Sequence, residues 1–166
     1  MSDDILIREV RPDDADALAR IATEAWRPIY EYRRQTLGDE LYELAYPDAL
    51  EHKADQVRRV CGPDTSAEVR VVEKDGSVAG FITFFIDVKP GMGEIGNNAV
   101  HPDFQGQGIG RRMYAHVFEE MKKRGQTHVK VATGGEGDPT HAPARRAYEK
   151  SGFDRKLPSV TYFRKL

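Results

Sequence analysis

The sequence predicts a mixed α/β domain in which a central, mostly antiparallel sheet is flanked by helices. Three observations carry this. Apolar runs with β-branched and aromatic residues mark strands at 5–10, 68–74, 78–88 and 94–100, and Asp75-Gly76 joins two of them as a tight hairpin. Apolar residues three and four apart mark helices, most clearly Ile109, Met113, Val117 and Met121. That last helix stands between the strand at 94–100 and another at 129–133, a strand–helix–strand unit. The chain has 166 residues, enough for one domain with a core. Without an internal repeat, low-complexity segment or long linker, residues 1–166 read as a single domain.

Each element has a local cause. Residues 5–10 alternate apolar and polar, and Arg11-Pro12-Asp13-Asp14 breaks the strand and caps a helix over 15–25. Leu18, Ile21, Ala22 and Ala25 share one face of it, and Pro28 is expected to disturb or end it. Residues 38–46 form a short helix stopped by Pro47, and 50–60 a polar one closed by Gly62-Pro63. Phe81 to Ile86 are nearly all apolar, as in a central strand covered on both faces. Lys89 to Gly93 form the next turn, and Gly125 ends the helix that begins at Ile109. Pro143 suits the first turn of a last helix, 143–150, which Gly152 ends. Two further short strands are expected at 153–157 and 160–164.

Composition narrows the function classes. Net charge is −2, which argues against a nucleic-acid binder driven by bulk charge. No apolar run is long enough to span a bilayer, and the acidic N-terminus lacks the pattern of a secretory leader, so the expected setting is cytoplasmic, without a membrane partner. One cysteine, Cys61, allows neither an internal disulfide nor a multi-cysteine metal site. The five histidines show no metal-ligand spacing, and no metal is expected.

The organising stretch is 101–124, with Gln105-Gly106-Gln107-Gly108-Ile109-Gly110 where a strand turns into a helix. The first N–H groups of a helix lack intrahelical partners and carry the positive end of its dipole. Glycines there permit a tight turn and leave room for a bulky anion, so the turn suits a phosphate or pyrophosphate. The dinucleotide pattern G-x-G-x-x-G fails, because Arg111 follows Gly110, and the phosphate-loop pattern fails as well. What stands here is Q-x-x-G-x-G, formed by Gln105, Gly108 and Gly110. It resembles the acetyl-coenzyme A signature of the GNAT N-acetyltransferase superfamily. A second stretch, His141 to Phe153, is similar to the family's N-x-x-A-x-x-x-Y-x-x-x-G-F, with Ala144, Tyr148, Gly152 and Phe153 in place and His141 where the family often has Asn. The resemblance is specific from about residue 78 onward.

The resemblance implies a GNAT-type acyl-CoA N-acyltransferase fold and an N-acetyltransferase that moves an acetyl group from acetyl-CoA to a primary amine in a ternary complex. It implies main-chain contacts from Asn98, Ala99 and Val100 to the thioester and pantetheine arm. It places the pyrophosphate on the amides of Gln105, Gly106, Gln107, Gly108, Ile109, Gly110 and Arg111, and further coenzyme contacts on His141 and Tyr148. It implies Tyr148 as the acid for the leaving thiolate. For the base, Glu94 comes first, six residues before Val100 and on one strand face with Gly96, Asn98 and Val100 if no bulge intervenes. His141 comes second, with an ordinary pKa near ~6.5, and water is the third choice. Trp26 and Tyr30, in an aromatic stretch between the first helices, and Glu136, in an acidic loop with Asp138, are the expected acceptor contacts. The acceptor stays open among small amines, peptide N-termini and protein lysines, as does a homodimer. A coenzyme A binding sensor without catalysis is the alternative.

Overall fold

The computed structural model describes residues 4–166. Among these the sheet has five strands in the order β1-β2-β3-β4-β5: β1 (Ile5–Glu9), β2 (Glu68–Lys74), β3 (Ser77–Lys89), β4 (Met92–Val100) and β5 (His128–Val131). The first three pairings are antiparallel and β4–β5 is parallel. The β2–β3 hairpin turns at Asp75 (φ 51°) and Gly76 (φ 77°), two left-handed residues in the arrangement that matches strand twist.

Both faces of the sheet are covered. On one, α1 (Ala15–Leu37) and α3 (Ala49–Val60) bury Leu18, Ile21 and Val57 against Val71, Phe81 and Ala99, and α2 (Asp39–Ala45) packs on α1. On the other, α4 (Ile109–Lys123) and α5 (Ala142–Lys150) bury Met113, Val117 and Tyr148 against Ile82, Phe84 and Ile95. Ala79 to Phe84 of β3 are buried without a break, the central strand that its apolar run implied. Buried Arg70 of β2 pairs with Glu120 of α4 and lies 5.2 Å from the Phe84 ring, tying that helix to the sheet.

Two expectations are corrected. The first helix runs through Pro28 to Leu37. Proline removes one N–H and strains the turn before it, but Leu18, Ile21 and Ala22 on one side of Pro28 and Ile29 on the other are buried, and this packing holds both halves in one rod. The strands expected at 153–157 and 160–164 do not form. Phe153 packs on Phe118 and Tyr148. Beyond it Asp154, Arg155, Lys156 and Pro158 interrupt the apolar pattern, and Leu157, Val160 and Tyr162 stay exposed. Alternation with no surface to cover does not make a strand.

Candidate active site

The site lies where β4 and β5 part. Their pairing runs from Met92↔His128 to Ile95↔Val131 and stops. At the same point β4 bulges: Ile82 faces Asn98 and Phe84 faces Ile95, so Thr83 stands opposite two residues, Gly96 and Asn97. The buried Thr83 hydroxyl donates to the Asn97 carbonyl at 3.0 Å. A Cβ on Gly96 would lie 2.5 Å from Thr83 Oγ1, so this position needs glycine.

The bulge corrects the expected face of Glu94. One extra residue inverts the alternation of side chains. Glu94 therefore shares the α1 and α3 side of the sheet with Ala99, while Asn98 and Val100 share the α4 and α5 side with Ile95. The main chain follows from the ladder. His101 N–H donates to Ala79 C=O at 2.8 Å, so by the alternation of antiparallel pairs Asn98 and Val100 turn their N–H and C=O groups away from β3. They face the gap that β5 has left. Ala99 is turned the other way, toward Phe81.

A cleft of about 970 Å³ fills this gap. Trp26, Ile29, Gln56 and Glu94 line it from one side of the sheet, and Met113, Tyr114, Ala144 and Tyr148 from the other. Asn98, Ala99 and Val100 cross it, and Gln105, Gly106, Gly108, Ile109 and Gly110 close one end. The turn is built as the sequence implied. Gly106 (φ 75°) and Gly108 (φ 77°) are left-handed, Gly108 is the N-cap of α4, and no protein atom lies within 4 Å of a Cβ placed on either. The Gln105 side chain reaches back to the Val100 carbonyl at 3.1 Å, fixing the turn to the end of β4. Gln107 and Arg111 stand outside the cleft lining. The Gln107 side chain bridges Lys74 and the Asp103 carbonyl.

Tyr148 is buried in the cleft wall and belongs to a polar triad. Asn98 Nδ2 donates to Tyr148 Oη at 3.1 Å and to the Gly96 carbonyl at 3.1 Å, while Tyr114 Oη donates to Asn98 Oδ1 at 2.6 Å. Burial raises the Tyr148 pKa despite these bonds, so the phenol keeps its proton at neutrality. Because Asn98 is a donor here, the phenol's own hydrogen is available to a third group. The sequence places Asn98 in the site by its main chain only, and does not assign the roles of the Asn98 and Tyr114 side chains. The signal for Asn98 was present, as a polar residue in a strand next to the core.

His141 caps α5 and lines the cleft. Its Nδ1 lies 2.9 Å from Thr133 Oγ1, and its buried Nε2 has no hydrogen-bond partner, with Asp138 Oδ2 at 3.6 Å. Burial lowers its pKa, only partly offset by Asp138. Glu94 pairs with Lys130 of β5 at 2.9 Å. Of the expected acceptor contacts, Trp26 lines the cleft, whereas Tyr30 and Glu136 do not. Tyr30 packs with Arg33 and Tyr46, because the helix that continues past Pro28 carries it beyond the opening. Glu136 is exposed and paired with Lys156 at 3.2 Å. Cys61 is half-buried and donates to the Val57 carbonyl, and burial pushes its thiol up to about 11, as suits an inert side chain. Among the described residues no cluster of three or more metal-ligating side chains occurs, and no helix is long and apolar enough to cross a membrane.

Known proteins share this sequence pattern and fold. Residues 26–153 match the sequence model of the Acetyltransferase (GNAT) family. The [ribosomal protein bS18]-alanine N-acetyltransferase of Escherichia coli is 34% identical over 67 residues, covering 40% of this chain and 43% of that protein. The chain thus matches less than half the length of that relative. An uncharacterized N-acetyltransferase of Archaeoglobus fulgidus is 27% identical over 154 residues, covering 90% of this chain and 92% of that one. Among solved structures, the PaiA N-acetyltransferase of Thermoplasma acidophilum in complex with coenzyme A superposes with a TM-score of 0.69 at 19% identity, over 94% of this chain and 92% of that one.

Proposed function

Since this chain belongs to the acetyltransferase (GNAT) family, we propose that it transfers an acetyl group from acetyl-CoA to a primary amine by direct attack, with both substrates bound together. The observation that carries this reading is the Asn98–Tyr148 pair at the parted end of β4, beside a glycine turn that opens onto the same cleft. Acetyl-CoA supplies the acetyl group already activated as a thioester. The amides from Gln105 to Arg111 hold its pyrophosphate at the start of α4. The Val100 N–H, turned into the gap, stabilises negative charge on the thioester oxygen, an effect typically worth ~2.7–4 kcal/mol per donor. As the N–C bond forms and the C–S bond breaks, Tyr148 gives its proton to the leaving sulfur. The proton lost by the amine goes to Glu94 or His141, or to water.

Thermal unfolding with acetyl-CoA, CoA, NAD and ATP in parallel tests the donor. Ligand at about a hundred times its Kd stabilises by roughly 2.7 kcal/mol. The expected result is a rise with the two coenzyme forms alone, followed by amine-dependent thiol release. A rise with NAD or ATP instead would overturn the assignment. A coenzyme-dependent rise without thiol release across a broad amine panel would leave a coenzyme sensor.

A pH–rate profile separates the bases. Burial keeps the His141 imidazole neutral at pH 7, able to accept a proton. With His141 as the base, kcat/KM climbs with pH to a midpoint below the ordinary 6.5, and His141→Ala abolishes that limb. Loss of the limb in Glu94→Gln assigns the role to Glu94. Survival of the limb in both variants assigns it to water.

A further inference from the structure

On the α1 and α3 side of the cleft stands a part-buried lysine with no counter-ion among the described residues. Lys53 of α3 places Nζ 3.2 Å from Asn97 Oδ1 at the bulge, 2.7 Å from Gln56 Oε1 and 4.6 Å from the Trp26 ring centroid. Trp26, Gln56 and Asn97 all line the cleft, and Lys53 stands directly behind them, outside the lining itself. Among the described residues Lys53 makes no ion pair, and the charge that acts on it is that of Arg33, also positive. Of the acidic residues in the lining, Glu94 lies 2.9 Å from Lys130 and Glu24 faces His101 at 3.9 Å, and neither pairs with Lys53. Two neutral oxygens and an indole face solvate an ammonium only in part. Burial first, and Arg33 second, bring its pKa down to about 8. The local field at Lys53 is therefore net positive, next to the strand end at which the amine would attack.

We propose that Lys53 anchors a carboxylate of the acceptor, and that the acceptor is a small amine that also carries an acid group. The proposal rests on the acetyltransferase reading and deepens it. A carboxylate within reach of Lys53 completes an ion pair in a partly desolvated pocket, where a charge-assisted bond is strong. The Trp26 ring beside it offers an apolar wall for the rest of the molecule. The excess positive charge of Lys53 and Arg33 also favours the neutral, nucleophilic form of the incoming amine. A polycation such as spermidine meets repulsion at the same place.

The test measures thiol release from acetyl-CoA with the full chain. The panel is the common amino acids, β-alanine and aminobenzoates, each against its carboxamide, with spermidine as the polycation. The expected result is a preference for at least one acid over its amide. Lys53→Met should bring that preference near unity by raising KM for the acid about thirtyfold, roughly 2 kcal/mol, with kcat little changed. Lys53→Arg should restore it. Retention of the acetyl-CoA thermal shift in Lys53→Met shows that the fold and donor site survive. Equal rates for acids and amides, preferred turnover of spermidine, or an acid preference that persists in Lys53→Met would each overturn the proposal. Donor binding with no acid turned over would overturn it and leave the donor site standing. Failure of acetyl-CoA to bind the unaltered chain would remove the reading beneath it.

Discussion

Tyr148→Phe is expected to lower kcat by about 10²–10⁴-fold, the usual range for removing a positioned acid, while the acetyl-CoA-induced thermal shift remains. Phenylalanine keeps the ring, which meets Tyr114 and Phe153 edge-on at 5.8 Å, so the packing of α5 is preserved. The loss of one hydroxyl leaves Asn98 still bonded to the Gly96 carbonyl and to Tyr114. The cost to stability is then that of one hydrogen bond, about 0.5–1.5 kcal/mol. The cost to turnover is larger, because the departing sulfur leaves as a thiolate with no proton donor in place. Steady-state thiol release, read beside the melting curve, separates the two. Unchanged turnover would remove Tyr148 from the chemistry.

Gly108→Val should abolish the rise in melting temperature that acetyl-CoA gives, corresponding to a loss of at least about a hundredfold in affinity, or roughly 2.7 kcal/mol. At φ 77° an L-residue is strained by about 1–2 kcal/mol, so the variant melts somewhat earlier even without ligand. Nothing in the protein obstructs the new side chain, since no atom lies within 4 Å of its Cβ. The branched group stands in the open end of the cleft and excludes the pyrophosphate instead. Calorimetric titration with acetyl-CoA checks this. An affinity within a few-fold of the unaltered chain would place the pyrophosphate elsewhere.

These outcomes depend on features of unequal visibility in the sequence. The glycine turn and α4 were legible because their signals are local: a 3.6-residue apolar period, and glycines at the points where the backbone is left-handed. The β2–β3 hairpin was legible for the same reason. The passage of α1 through Pro28 was hidden, because the contacts that outweigh the proline come from α3 and the sheet, distant in sequence. The bulge was hidden too. Gly96-Asn97-Asn98 reads as plain strand until Thr83, on the neighbouring strand, shows which carbonyl it must satisfy. That one residue decided the face of Glu94. Tyr30 and Glu136 missed the cleft because aromatic content and acidity say nothing about direction. Lys53 stands on a polar helix whose sequence does not set it apart from its exposed neighbours.

The inversion at the bulge has a consequence for how such a protein can change over evolutionary time. β4 acts as a partition. The groups assigned to the coenzyme, Tyr148, Asn98 and the glycine turn, project to one side or extend from its end, and Trp26, Glu94 and, behind the cleft wall, Lys53 belong to the other. If the acceptor lies on that side as proposed, mutations in α1 and α3 are expected to retune its choice without disturbing the donor half. On that reading the two halves are free to vary separately, joined through a backbone whose local path depends on one glycine and one threonine hydroxyl.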